Sequence, residues 1–423
     1  MAHSGGLDSQ VLLHWLAEQR GHLQAELHAC HVDHGLQPDA LAWVEHCRRT
    51  CEALGVPFRV LAVAARPTPG ESPEAAARRA RYQVLTGLLD RHTSLLTAHH
   101  RDDQVETVLL QLFRGSGPAG LAAMPLLAPL GEGWLLRPLL NVPRTMLLGY
   151  AQRHGLHWVE DPSNLDTRIP RNWLRHDLLP RVRARWPGLD GAVARSAGLC
   201  AEAVSALDQR ARADLQAVAA NDGATLSLGV LRALPADRQR HCLRRWLRDL
   251  ELPLPGQRQL TEILDVMLAA RADAQPRVAW PGAEVRRFRA WLYAVPSLPP
   301  PPAGGQRLRS PGELHLPGVG RLRLEAAVGA GLAAREVPVD GLTVAFRQGG
   351  ERFRPAGDPH HRSLKQLFQR WGLAPWERER MPLVYAGERL VAVGTCLAVG
   401  SEAGIGEKGW VLTWQKASLF VNV

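Results

Sequence analysis

The chain is predicted to be an α/β protein: a doubly wound, parallel-sheet (Rossmann-like) N-terminal domain, a helical middle domain and a small α+β C-terminal domain. Three observations predict it. Short apolar runs alternate with longer helical patterns over roughly the first 190 residues, the pattern of a parallel sheet wrapped by helices. From about Ala192 to Leu268 the text becomes periodic in Ala, Leu and Arg, with Thr225–Leu228 as the one strand-like run. Prolines then cluster from Pro296 to Pro302 ahead of Gly304 and Gly305, a stiff linker. A length of 423 residues is too great for one ordinary core. The expected division is residues 1–190, 191–295, a linker at 296–308, and 309–423.

Taken in order, the elements begin with a turn, Ser4–Ser9. A helix follows it, with Val11-Leu12-Leu13 and Trp15-Leu16 on one face. Glu26–Val32 reads as a strand, Leu41–Leu54 as a helix, Phe58–Val63 as a strand and Glu74–Leu89 as a helix. Ser94–His99 is the next strand and Asp102–Phe113 the next helix. In the last segment Leu342–Phe346 and Leu390–Val393 read as strands around a helix near Ser363–Trp371. A parallel-sheet domain also needs a strand leading into Ser4–Ser9. Only Met1, Ala2 and His3 stand there, so the expectation is that the first strand is missing or that the start lies further upstream.

Composition narrows the function. Hydrophobic residues are 46% and charged residues 22%, ordinary for a globular chain. A net charge of +10, with Arg far outnumbering Lys, suits a polyanionic partner because guanidinium pairs bidentately with phosphate. A GC-rich genome would inflate Arg, Ala, Gly and Pro in the same way. The six cysteines show no Cys-x-x-Cys spacing, which argues against a disulfide framework or zinc ribbon. Cys47 and Cys51, four apart, read as buried free thiols on one helix face. No apolar run has the length of a signal peptide core or of the ~20 residues that span a membrane, so a cytoplasmic location without a membrane partner is expected.

Chemistry concentrates in a few segments. In Ser4-Gly5-Gly6-Leu7-Asp8-Ser9 the glycines let the backbone approach a phosphate, the serines offer hydroxyls and the following helix adds its positive end. Asp8 repels phosphate and suits a bridging Mg²⁺. The loop lacks the Gly-Lys-Ser/Thr ending of a Walker motif. His31-Val32-Asp33-His34-Gly35-Leu36 ends the second strand, with two histidines that fit either a nucleotide pocket or a metal lacking a third ligand. Arg78 and Arg81 share one face of the Glu74–Tyr82 helix, in reach of phosphate or RNA unless they simply face solvent. Ala98–Thr107 is the densest segment. Asp103 and Glu106 stand three apart at a helix start, beside His99, where metal binding and proton transfer are both available and Asp102 can cap. Arg114-Gly115-Ser116-Gly117 is a basic glycine loop, and Arg171-Asn172-Trp173-Leu174-Arg175, after the turn at Asp161–Asp166, sends two arginines from one helix start.

The Ser4–Ser9 string resembles the PP-loop of ATP pyrophosphatases. The ordered set with His31–Leu36, Glu74–Tyr82, His99–Thr107, Arg114–Gly120, Asp161–Asn164 and Arg171–Arg175 resembles the tRNA(Ile)-lysidine synthetase family. Gly349–Arg354, Ser363–Lys365 and Pro375–Arg378 are similar to that family's terminal domain. The resemblance implies adenylation of the wobble cytidine of an isoleucine tRNA with a CAU anticodon, then displacement of AMP by free lysine. On it, Ser4, Gly5, Gly6, Leu7, Asp8 and Ser9 bind ATP, and Asp8 with Asp103 holds Mg²⁺. Asp8, Arg78, His99 and Glu106 are the catalytic candidates, the base being His99 or Glu106. Arg81, Arg114, Arg171, Arg175, Arg352, Lys365 and Arg378 are the tRNA-binding candidates. Residues 191–295 and 309–423 would grip tRNA, with Trp371 and Trp376 stacking on bases or filling a core. A homodimer is kept open. The rivals are a PP-loop tRNA sulfur transferase, which the scattered cysteines disfavour, and an inactive RNA-binding relative.

Overall fold

The computed structural model describes residues 1–33, 40–63, 73–220, 223–271 and 274–417, with side chains in the third helix from Ala76 onward. His34, Gly35, Leu36 and the side chain of Glu74 therefore lie outside the described residues. Two compact units divide the chain, Met1–Leu207 and Asp208–Val423.

The first unit runs α1 (Leu7–Glu18), β1 (Ala29–Asp33), α2 (Ala40–Ala53), β2 (Phe58–Ala62), α3 (Pro73–Thr86), β3 (Ser94–Leu96), α4 (Arg101–Phe113), α5 (Pro118–Leu121), β4 (Leu127–Leu130), β5 (Gly133–Leu136), α6 (Arg144–Arg153), α7 (Pro170–Trp173), α8 (Leu179–Arg185) and the first part of α9 (Leu189–Val218), whose end belongs to the second unit. β1 pairs parallel with β2, and β3 parallel with β5, which turns back antiparallel onto β4. Met1–His3 lie between these halves. Ala2 N–H donates to Leu96 O at 2.9 Å on one side, while His3 N–H donates to Cys30 O at 2.8 Å on the other. Ahead of the phosphate loop, Ala2 forms a parallel bridge with Cys30 of β1.

Helices cover both faces of this sheet, as buried parallel strands require. Leu12, Leu13 and Leu16 of α1 and Cys51 of α2 pack with Ala29 on one face; Leu85 of α3 packs with Cys30, Leu95 and Leu135 on the other. Each such side chain removed from water contributes about 1.5–3 kcal/mol. Leu7 and Val11 bind α1 to α6 through Leu147 and Ala151.

In the second unit the end of α9 and the helices Leu228–Ala233, Ala236–Asp249 and Gln257–Ala269 share a core around fully buried Trp246. The helical pattern of the middle segment is therefore real, but it omits a sheet. Thr225–Ser227 pairs with Trp291–Pro296, which continues into Ala283–Phe288 and Arg277–Trp280. Beyond it, Gln306–Leu308, inside the expected linker, pairs with Leu342–Ala345 in a five-stranded antiparallel sheet; a four-stranded sheet is built on Gly320–Val328 and Lys408–Lys416. The proline segment is fastened as well, since Arg380 donates to Pro299 O and Gly318 O, both at 2.8 Å. Ser363 starts the helix Leu364–Arg370 by accepting from Gln366 N–H, whose side chain in turn accepts from Ser363 N–H. Trp376 is buried against Phe288 and Tyr293, a core role, whereas Trp371 is 36% exposed. No helix among the described residues is long and apolar enough to cross a membrane.

Candidate active site

The phosphate loop closes on itself through its serines. Ser4 donates from its N–H to Ser9 Oγ at 3.2 Å, and Ser9 donates its hydroxyl proton to Gly6 O at 3.0 Å. Gly5 has φ +83°, a left-handed conformation, and a Cβ there would stand 3.1 Å from Cys47 Sγ and Val159 Cγ2. Gly6 is the N-cap of α1 and no side chain caps that end, so the first-turn amides of α1 keep their positive potential for an anion. Val159 N–H donates to Gly5 O at 2.9 Å, which ties the loop to the segment before Asp161.

Asp8, in the first turn of α1, has one carboxylate oxygen, Oδ1, that is buried without a hydrogen-bond partner. Its Oδ2 lies 3.5 Å from His100 Nε2. His100 is the N-cap of α4 and 1% exposed. The same nitrogen is 3.4 Å from Asp103 Oδ2, and its Nδ1 is 3.7 Å from Asp102 Oδ2. Burial works against a charge on this ring, yet the surrounding carboxylates, Asp8 and Asp103 first, outweigh it and raise its pKa. Asp102 is anchored in turn by Arg183 Nη2 at 2.7 Å and by Arg144 N–H at 3.0 Å.

One turn along α4, buried Glu106 receives Arg175 in a fork, Nε to Oε1 at 2.7 Å and Nη2 to Oε2 at 3.0 Å. Arg175 Nη2 also donates to Asp103 Oδ1 at 3.3 Å, and Arg171 Nε lies 3.6 Å from Glu106 Oε2. Burial raises the Glu106 pKa against the pull of Arg175. Arg171 and Arg175 were expected to project towards tRNA. Both instead turn onto the acidic face of α4 and are 29% exposed. Asn172 between them holds the preceding turn, donating to Ser163 O at 2.9 Å and Asp166 O at 3.1 Å.

His99 follows β3 and shares a 2.9 Å hydrogen bond from Nδ1 with Thr97 Oγ1. Burial, reinforced by Arg137, Arg78 and Arg171 against the opposing Asp103, holds its pKa down at about 4, so the ring is neutral at physiological pH. Arg78 stacks over the Tyr82 ring at 5.2 Å. Arg137, at the end of β5, is buried, donates to Pro125 O at 2.7 Å, and has an Nε without a partner. Of the sequence candidates, the structure gathers Asp8, Arg78, His99, Asp103, Glu106, Arg171 and Arg175 around the start of α4. Arg81 and Arg114 are exposed in the first unit; Arg352 and Lys365 are exposed in the second, where Arg378 donates to Leu373 O at 2.8 Å. His31 donates from Nδ1 to His3 O, 3.0 Å away, in a buried position.

This arrangement suits a nucleoside triphosphate at the uncapped end of α1, an acid-rich wall opposite, and a neutral imidazole beside them. Comparison with known proteins gives the same direction. Residues 1–182 match a PP-loop domain family, 226–293 the TilS substrate binding domain and 342–414 the TilS substrate C-terminal domain. A tRNA(Ile)-lysidine synthase of Alkalilimnicola ehrlichii is 47% identical over 397 residues, 93% of this chain and 88% of its own length. The chain belongs to the tRNA(Ile)-lysidine synthase family. Family members from Coxiella burnetii and Methylococcus capsulatus are 42% and 43% identical, covering 97% and 96% of this chain and 91% and 94% of themselves.

Four of the six cysteines are ill placed for sulfur-transfer chemistry. Cys30, Cys47, Cys51 and Cys242 are buried, and burial pushes Cys47 up to about 12 and Cys51 to about 11, the reverse of an activated thiol. Sequence reasoning missed His100, Arg137 and Arg183, and it took Asp102 for the cap of α4, where the N-cap is His100 and Asp102 stands within the first turn. The signal for the first lay in the His99-His100 pair at a helix start, though sequence alone did not say which ring turns inward. Arg137 and Arg183 join the site only through long-range packing, whereas Asp102 meets His100 two residues away.

Proposed function

We infer that the chain is a ligase that joins free L-lysine to C2 of the wobble cytidine of isoleucine tRNA bearing a CAU anticodon, consuming ATP and giving lysidine, AMP and pyrophosphate. The observation that carries this reading is the near-full-length kinship combined with the uncapped α1 terminus beside the unpartnered Asp8 Oδ1. ATP would lie with its phosphates on Ser4–Ser9, where backbone amides and the helix dipole receive them. The donor set fits Mg²⁺ at Asp8, since this ion takes one or two carboxylate oxygens and phosphates. Asp103 joins it only by releasing His100 or Arg175, which hold both of its oxygens. When bound, the ion would neutralise charge on the departing pyrophosphate.

In the first step the cytidine O2 attacks the α-phosphorus and the bond to the β-phosphate oxygen breaks. Arg78 and Arg137 offset the charge that develops. In the second, the lysine amine forms the C2–N bond and the C2–O bond breaks, so that O2 departs with AMP. The amine's proton goes to His99, because Glu106 has both oxygens committed to Arg175. Glu106 then acts by fixing Arg175 across the site. Arg81 and Arg114 on the catalytic unit and Arg352, Lys365 and Arg378 on the segment 309–423 are proposed to hold phosphates of the tRNA. The cytoplasm, where tRNA, ATP and lysine coincide, is the proposed location.

The test incubates the purified chain with this tRNA, ATP and labelled lysine. Label should enter tRNA with equimolar AMP and pyrophosphate. Binding of tRNA without label would mark an inactive binder, and turnover only with a sulfur donor would mark a thiolation enzyme; either overturns the reading.

A further inference from the structure

At the end of α1 opposite the phosphate loop stands a group that the ligase reaction does not use. His14 and Glu18, four residues apart, share one face of α1, and His154 is the C-cap of α6, the helix packed against it. Each offers one ligand atom, and these atoms lie within 4.8 Å of one another. Tyr150 organises the group. Its hydroxyl donates to Glu18 Oε2 at 2.8 Å, lies 2.9 Å from His14 Nδ1, and its ring stacks on His154 at 4.1 Å. The hydroxyl has a single proton, given to Glu18, so it accepts at His14. Nδ1 of His14 therefore carries the ring proton, and the lone pair sits on Nε2.

We propose that His14, Glu18 and His154 form a binding site for a divalent ion of the zinc class, separate from the nucleotide site. Two imidazoles and one carboxylate are the donors that zinc, cobalt and nickel prefer, whereas Mg²⁺ and Ca²⁺ take oxygen. Three protein ligands leave a fourth position for water. Ligands about 2.0–2.1 Å from zinc stand about 3.3 Å apart in a tetrahedron, so the atoms must converge by at most about 1.5 Å. The exposed Glu18 and His154 have room to move, while His14, 16% exposed, stays fixed by packing and Tyr150. A bound ion would clamp α1, whose first turn carries the phosphate loop, to α6.

The experiment uses the untagged full-length chain, stripped with chelator and titrated with Co²⁺, then with Zn²⁺ in competition. One equivalent of Co²⁺ should saturate with the visible absorption of a four-coordinate ion, Zn²⁺ should displace it, and Zn²⁺ should raise the melting temperature. His14→Ala and His154→Ala should each weaken binding at least about tenfold, and Tyr150→Phe by less. Circular dichroism and the melting temperature in chelator report whether each variant is folded. Absence of saturable binding at one equivalent, a spectrum of hydrated Co²⁺ only, or undiminished affinity in a folded His14→Ala/Glu18→Gln/His154→Ala variant would overturn the proposal.

Discussion

Replacing Arg175 by Ala withdraws the fork on Glu106 and the donor to Asp103, leaving a carboxylate that is 1% exposed without its cation. Breaking a buried pair from one side costs about 3–5 kcal/mol. Arg175 is 29% exposed, and Arg171 at 3.6 Å remains, so the expected loss is lower, about 2–3 kcal/mol. For a unit of this size that corresponds to a melting temperature lower by roughly 4–12 °C. The sign with pH is fixed by Glu106. Its folded pKa is already above the ordinary carboxylate value, and removing Arg175 raises it further. A raised carboxyl contributes stability that is present below the unfolded pKa and lost as pH rises through the folded one, so the deficit of Arg175→Ala should be smaller near pH 5 than at pH 7.5. Urea denaturation of wild type, Arg175→Ala, Glu106→Gln and the double variant at both pH values measures it. A deficit independent of pH, or additive single losses in the cycle, would refute the assignment of Glu106 as the partner of Arg175.

Asp8→Asn should lower pyrophosphate release by about 10³, the scale of one lost electrostatic contact in a transition state, while tRNA affinity by filter binding stays unchanged; retained turnover removes Asp8 from the metal role. Gly5→Ala forces a left-handed alanine, about 1–2 kcal/mol, against Cys47 and Val159, and should raise the KM for ATP about tenfold in a pyrophosphate-release assay. Ser363→Ala removes the capping hydroxyl of Leu364–Arg370 and should cost about 1 kcal/mol in urea unfolding, with lysine incorporation kinetics showing whether that helix matters for tRNA. His3 is buried, and burial with nearby His31 and His46 lowers its pKa to about 3, so it contributes stability that is complete above pH 6.5 and lost as pH falls from there towards 3. His3→Asn should flatten that acid-side slope in denaturation measured between pH 7 and 4.

Much of this was legible in the sequence, for physical reasons. The run Ser4–Ser9 ahead of an apolar helix face, and the helix start at His99–Thr107, are local signals: turn chemistry, a cap, and acids at a positive helix end. The helices and strands as far as Phe113 follow from periodicity, with ends displaced by a few residues because helix and strand ends are set by tertiary contacts, whereas β4, β5 and the helices α5 to α8 were not read. What the sequence did not carry is pairing over distance. Arg175 meets Glu106 across 69 positions, and its polarity alone pointed outward to RNA. The sheet completed by Arg277–Trp280, Ala283–Phe288 and Trp291–Pro296 stayed hidden because arginines and a Pro-Gly turn interrupt its apolar alternation. Trp376 also resisted reading, since an indole suits a base or a core equally until Phe288 and Tyr293 are beside it.

The segment Met1–His3, bridged to Cys30 on one side and bonded to Leu96 on the other, makes the first unit's sheet a seam. Two broad halves, β1 with β2 and β3 with β5 and β4, are stitched by a handful of amides, and the thread continues directly into Ser4–Ser9. A ligand seated on that loop immobilises the thread's far end. Its presence would therefore be felt as slowed deuterium uptake at Ala2, His3 and Cys30, amides that never touch the nucleotide. The phosphate loop and the segment that joins the two halves of the sheet are consecutive stretches of chain, so occupancy and cohesion of the sheet would rise and fall together.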